Sequence, residues 1–215
     1  MTLPRPAAVH ALIPIKRFDR GKTRLRERLD ETARRALAHR MFERVLDVSL
    51  GCPRLAGTLV VTDAEDIATL ARARGASVLA DPADLATAPE RARLAQVVDA
   101  GLAQLRAQGA SGALVLMADL PALEVRDLDA LLDALDRADV VLAPDRRGRC
   151  TNALALRLPP ASALRTAFGR PDSLAEHEAQ ARALGLRVML EANPRLALDV
   201  DIPADLDLMD GLHQD

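Results

Sequence analysis

The chain has 215 residues, with 29 Lys and Arg against 31 Asp and Glu, a net charge of −2, no Trp, no Tyr and three Phe. That length favours one α/β domain, 1–215, burying about two-thirds or more of its unfolded surface. Near-neutral charge and scarce aromatic rings argue against a general nucleic-acid or membrane-surface role, because neither a basic face nor a stacking platform is available.

Ala8–Ile15 reads as a first strand. Its end empties into a loop with Lys16, Arg17, Arg20, Lys22 and Arg24, five positive charges in nine residues. Ligands of open α/β sheets sit outside the carboxyl ends of the strands, so a cationic loop there suits a polyanion such as a nucleoside triphosphate. Gly21-Lys22-Thr23 looks like the end of a P-loop, but the first glycine of that motif would fall on Lys16. Lysine side chains must then carry more of the phosphate binding than a backbone N–H nest does. Asp30 is placed to cap a helix over 31–50, with Leu37, Met41, Val45 and Val48 on one face. Gly57–Thr62 is a short apolar strand. Asp63 can cap a helix over 64–74, which Gly75 closes. Ser77–Ala80 predicts a strand and 89–108 a helix. The intervening 81–91, made largely of Ala, Pro, Asp and Glu, shows the least regular pattern.

Ala113–Ala118 is an unbroken apolar run, the pattern of a strand buried on both faces. Asp119 follows it directly, placing a carboxylate in the predicted crevice. Magnesium takes one or two carboxylates and completes its shell with phosphate oxygens and water. An Asx-turn or helix cap before Pro121 is the competing role for Asp119. Further on, helices are predicted over 125–138 and 174–184. Strands are predicted over 139–143, 152–158 and 187–190, with another at 196–200. Alternating strands and helices imply a mostly parallel sheet covered on both faces.

Two other clusters fall at element ends. Thr151-Asn152 and Phe168-Gly169-Arg170-Pro171-Asp172-Ser173 combine small hydroxyls, a glycine and an arginine before a helix, an anion pocket by composition. Ser173 with Glu176 also reads as a capping box, and the lone His177 receives no catalytic role. In Leu198-Asp199-Val200-Asp201-Ile202-Pro203, strand alternation would put both acids on one face. Close carboxylates repel unless a cation relieves them. Asp201 is the favoured metal partner and Asp199 its support, while Pro203 makes a helix cap the competing role for Asp201. Cys52 and Cys150 lack metal-ligand spacing, and no apolar run approaches a membrane span; the expectation is a cytoplasmic protein with reduced thiols.

The ordered set Ile13-Pro14-Ile15-Lys16…Gly21-Lys22-Thr23-Arg24-Leu25, Val60-Val61-Thr62-Asp63, Asp119-Leu120-Pro121, Phe168-Gly169…Ser173-Leu174-Ala175-Glu176-His177 and Asp199-Val200-Asp201-Ile202-Pro203-Ala204-Asp205-Leu206 resembles the 2-phospho-L-lactate guanylyltransferase family of coenzyme F-420 biosynthesis. The resemblance spans nearly the whole chain. It implies a three-layer α/β sandwich with a Rossmann-like, GT-A-like nucleotidyltransferase fold. It implies transfer of GMP from GTP to 2-phospho-L-lactate, phosphoenolpyruvate or 3-phospho-D-glycerate. Leu12 and Pro14 would line the nucleotide site, with Lys16, Gly21, Lys22 and Arg24 at the GTP phosphates. Lys22 and Asp119 would be catalytic, and Asp119 and Asp201 would hold Mg2+. Thr151, Gly169 and Ser173 would bind the acceptor. Departures from the family pattern are the absence of Asn in Leu85–Arg91, Asn152 after Thr151, and Arg170 between Gly169 and Pro171; the last suggests a larger or more acidic acceptor. Two other readings stay open: a nucleotidyltransferase using another base on a sugar or cofactor phosphate, and a non-catalytic nucleotide-binding relic. A homodimer is compatible with all three.

Overall fold

A computed structural model describes residues 3, 5–18, 22–82 and 90–211. One sheet contains β1 Val9–Pro14, β2 Gly57–Thr62, β3 Ser77–Ala80, β4 Gly112–Leu116, β5 Val140–Pro144, β6 Thr151–Arg157 and β7 Val188–Leu190. Their spatial order is β3-β2-β1-β4-β6-β5-β7. All run parallel except β6, which lies antiparallel between β4 and β5. The helices are α1 Glu31–Leu50, α2 Glu65–Ala73, α3 Glu90–Ala107, α4 Val125–Leu135, α5 Ser173–Ala183, α6 Pro194–Ala197 and α7 Pro203–Gly211.

Strand alternation divides the core into two layers. Ala11 and Ile13 of β1 face Phe42 and Leu46 of α1, Ile67 of α2 and Leu131 of α4. Leu12, between them, faces Val98 and Leu102 of α3 on the other side of the sheet. This is the expected three-layer sandwich, with apolar side chains buried from both faces. On α3, a Cβ added at Gly101 would sit 2.4 Å from Leu12 Cδ1, so glycine allows the helix its close approach to β1. A third, small cluster joins Leu25, Leu37 and Met41 to Val200 and Leu206. It fastens the loop after β1 to the C-terminal segment.

Local caps follow the expectations only in part. Asp30 caps α1, accepting from the Ala33 N–H at 2.7 Å. Asp63 does not cap α2: Thr62 Oγ1 accepts the Ala64 N–H at 3.2 Å, and Asp63 instead accepts from Arg93 at 2.8 Å. The strand predicted over 196–200 is absent; Asn193 caps the short α6 there, accepting from the Arg195 N–H at 2.9 Å. No helix among the described residues is long and apolar enough to cross a membrane.

Candidate active site

After β1, the chain tightens into a 3-10 turn over Thr23–Leu25, with the Leu25 N–H donating to the Lys22 carbonyl at 3.0 Å. Lys22 adopts φ 56° and ψ 32°, and among the described residues it is the one non-glycine with positive φ. Such a backbone costs of order 1 kcal/mol and persists where surrounding contacts hold it. Lys22 Nζ donates to the Asp119 carboxylate and to Asp201 Oδ1, the latter at 2.9 Å. Three distant segments thus meet at one ammonium: the loop after β1, the end of β4 and the stretch before α7.

The electrostatics follow from that meeting. Burial alone would disfavour the Lys22 charge, but Asp119 and Asp201 together outweigh it and hold the ammonium above its ordinary pKa. Burial would push Asp201 up, yet the charges of Lys22, Arg24 and Lys16 keep it below the usual carboxylate value. The cations expected at the phosphates therefore all act on Asp201. Asp199 is pushed up to about 6, first by burial and then by the charge of Asp119, with Asp201 adding to it. Of the remaining expected nucleotide contacts, Pro14 closes β1 and is buried. The Leu12 side chain is fully buried against α3, which leaves its backbone as the part that would face a nucleotide. Gly21 and Arg20 lie outside the described residues, as do Leu85–Pro89 of the segment without Asn.

The backbone on either side of Asp201 is held by an acid of α7. Asp205 Oδ2 accepts the Asp201 and Ile202 N–H groups, both at 2.9 Å, and Arg146 donates to Asp205 Oδ1 at 2.8 Å. The Asp201 carboxylate itself pairs with Lys22. Upstream, Asp127 on α4 is fully buried and accepts from Asn193 Nδ2 at 2.8 Å and Arg195 Nε at 2.9 Å. This pair pins α6, and through it the acidic stretch. No sequence signal identified it, because Asp127 lies 68 residues from Arg195.

The expected acceptor residues also converge. The Thr151 N–H donates to Ser173 Oγ at 3.1 Å, so Ser173 does not cap α5 but joins it to β6. Glu176, expected in a capping box, pairs instead with Arg170 at 2.6 Å. Thr151 Oγ1 lies 3.0 Å from His177 Nδ1, and the Ala167 N–H donates to His177 Nε2 at 2.8 Å. The Phe168 ring packs edge-on to His177 at 4.8 Å between centroids. Next to it Gly169 takes φ 85°, a conformation suited to glycine. Burial drives His177 down to about 4, so the ring is neutral. Asn152 links this cluster to the charged one: its Nδ2 donates to the Leu196 carbonyl at 3.0 Å and to Asp199 Oδ1 at 3.3 Å.

The arrangement offers cationic side chains facing clustered acids at the strand ends, beside a buried cluster of hydroxyls and loop backbone. Residues 9–213 match the family described as guanylyl transferase CofC like. The phosphoenolpyruvate guanylyltransferase of Conexibacter woesei is 39% identical over 201 residues, covering 93% of this chain and 86% of that protein. The phosphoenolpyruvate guanylyltransferase of Chloroflexus aggregans is 40% identical over 193 residues, covering 88% and 90%. In fold, the chain is similar to the 4-diphosphocytidyl-2C-methyl-D-erythritol synthase of Anaerococcus prevotii, with a TM-score of 0.64 at 12% identity over 97% of this chain and 96% of that one.

Proposed function

This chain belongs to the CofC-like guanylyl transferase family, and from that membership we propose that it transfers GMP from GTP to a small phosphorylated acid, releasing pyrophosphate. The observation that carries the reading is Lys22, held between Asp119 and Asp201 at the carboxyl ends of the strands. Among the described residues, no group of three or more His, Cys, Asp or Glu is arranged to hold a metal by itself. Two carboxylates already sharing one cation, with a third acid nearby, suit a magnesium ion that completes its shell with phosphate oxygens and water. Asp119 and Asp201 would hold it, and bound there it would polarise phosphate oxygens and spread the charge of the transfer.

In the proposed reaction an acceptor phosphate oxygen bonds to the α-phosphorus of GTP, in line with the bond to pyrophosphate that breaks. A phosphate monoester is largely dianionic near neutral pH, so no side chain has to remove its proton. A buried, neutral His177 and the lack, among the described residues, of a nucleophilic Cys–His or Ser–His arrangement fit that chemistry. Catalysis then rests on positioning and charge. Lys22 exchanges its carboxylates for oxygens of the leaving pyrophosphate, with Lys16 and Arg24 alongside. Thr151, the Gly169 backbone and Ser173 take the acceptor's carboxylate or phosphate. Arg170 is paired with Glu176 at the surface.

The relatives are named for phosphoenolpyruvate, which makes it the first acceptor to try, followed by 2-phospho-L-lactate and 3-phospho-D-glycerate. Each is to be mixed with GTP, magnesium and the protein, and pyrophosphate measured. CTP, ATP and sugar phosphates form the remaining arms. Release with GTP and a three-carbon phospho-acid is expected. Release only with another base or a sugar phosphate would replace the substrate assignment. GTP binding without any turnover would make the chain a binding protein.

A further inference from the structure

We propose that His177 is a positioning residue that presets the Thr151 hydroxyl as a hydrogen-bond donor to an anionic oxygen of the phosphorylated acid. The inference rests on the acceptor site of the preceding section and assigns a direction to one proton in it. A backbone N–H can only donate, so the 2.8 Å contact from Ala167 requires a bare lone pair on His177 Nε2. A neutral imidazole with a bare Nε2 carries its proton on Nδ1. Nδ1–H therefore donates to Thr151 Oγ1 across their 3.0 Å contact. The Thr151 proton cannot occupy that line, and no acceptor among the described residues takes it.

The direction matters because the acceptor is an anion. With the opposite tautomer, Thr151 would donate to Nδ1 and turn its lone pairs outward, repelling a carboxylate or phosphate. With the tautomer set by Ala167, the hydroxyl offers a proton instead. Ser173 Oγ has a different place in the cluster, accepting the Thr151 N–H at 3.1 Å. The same ring fixes the loop that carries Gly169, which is further anchored by the Thr166 N–H to Asp99 Oδ1 at 3.0 Å and by Thr166 Oγ1 to the Ala95 carbonyl at 3.1 Å. His177, 26 residues from Thr151, thus sets both a hydroxyl and a loop without meeting the reacting atoms.

Two conservative variants separate these roles. H177N puts an amide N–H near the Nδ1 position and keeps the donor to Thr151. H177Q puts an oxygen near Nε2, keeping the partner of Ala167 but losing the donor. In full-length protein, H177Q should raise the KM for the acceptor about tenfold, as for loss of one hydrogen bond to a charged group. Its KM for GTP should stay unchanged, and H177N should fall between H177Q and the parent chain in acceptor KM, since it keeps the donor to Thr151 but leaves the Ala167 N–H unpaired. T151V should match H177Q, and the double variant should be no worse than either, because the two act as one unit. Nitrogen-15 spectra should show a protonated Nδ1 and a bare Nε2 from about pH 5 to 8. A protonated Nε2, additive double-variant effects, or H177N and H177Q losing acceptor affinity in proportion to their melting temperatures would overturn the proposal. If instead no phosphorylated acid is turned over by the parent chain, the guanylyltransferase reading itself fails and takes this inference with it.

Discussion

Lys22, Asp119 and Asp201 meet from three distant segments through full charges in a partly open crevice, whereas Thr151, Ser173 and His177 meet through neutral hydrogen bonds inside the core. The difference is one of replaceability. A triphosphate with its cation offers every charged partner of the first cluster an equivalent substitute, so those contacts can be exchanged at modest cost. The second cluster has no such substitute for its internal bonds: the Ala167 N–H, the Thr151 N–H and the His177 ring would each lose a partner buried with them. The nucleotide half should therefore respond to substitution in turnover and metal dependence. The acceptor half should respond in acceptor KM and in stability.

The largest effect falls on Asp119. D119N keeps the shape and removes the charge that Lys22 and the cation share. Magnesium-dependent turnover should fall about a thousandfold, the scale of losing a principal electrostatic contact at the reacting group. The fold should survive, because Asp201 stays on the Lys22 ammonium and the repulsion between Asp119 and Asp199 is relieved. Retained turnover would remove Asp119 from the mechanism; a collapse of the fold would show the charged half to be structural and erase the contrast with its neighbour.

Next comes the neutrality of His177. Unfolded, its ring titrates near 6.5; folded, burial brings it to about 4. Between those values the unfolded chain binds more protons, so the contribution to stability is complete above pH 6.5 and is lost as pH falls toward 4. The difference is worth about 3 kcal/mol at the acid end. Urea unfolding of the parent chain and of H177F, compared across that interval, isolates this term from the other titrating groups. Parallel pH profiles would mean a ring that is charged or open to water, and the acceptor half would no longer be the neutral one.

A smaller effect is expected at the support beneath the acids. R195M leaves Asp127 fully buried without its guanidinium, although Asn193 Nδ2 and the Glu124 N–H remain on it. Loss of one partner from a buried pair is strongly destabilising, and with those two bonds retained about 2–3 kcal/mol is expected in denaturant unfolding. Because α6 leads into the acidic stretch, turnover should drop as well. Stability lost with turnover intact would show that Asp201 is held by Lys22 and Asp205 alone.

The same contrast explains what was legible in the sequence. Charged residues immediately after apolar runs have no packing role, so Lys22, Asp119 and Asp201 stood out, and the alternation of elements gave the layered sheet. The reversed β6 had one readable signal, the absence of any helix between the strands at 139–143 and 152–158. Local pattern misjudged Asp63 and Ser173, each a plausible cap claimed by a distant partner: Arg93 and Thr151. The bonding of His177 and Asn152 was not legible although both stood in quoted motifs, since their partners lie 26 and 47 residues away.

The smallest effect tests whether Lys22 works through its charge or its backbone. K22A removes the ammonium and keeps a Cβ in the left-handed region; K22G removes both the ammonium and the strain. GTP KM should rise about tenfold in each, the scale of one charge-assisted contact to phosphate, with acceptor KM unaffected. K22G should be the more stable of the two by about 1 kcal/mol, because glycine occupies that backbone conformation freely. Equal affinities with unequal stabilities would assign binding to the ammonium and strain to the loop. If K22G bound GTP better than K22A, the conformation of the turn would itself shape the phosphate site, and the charged half would share the preorganisation assigned above to its neutral neighbour.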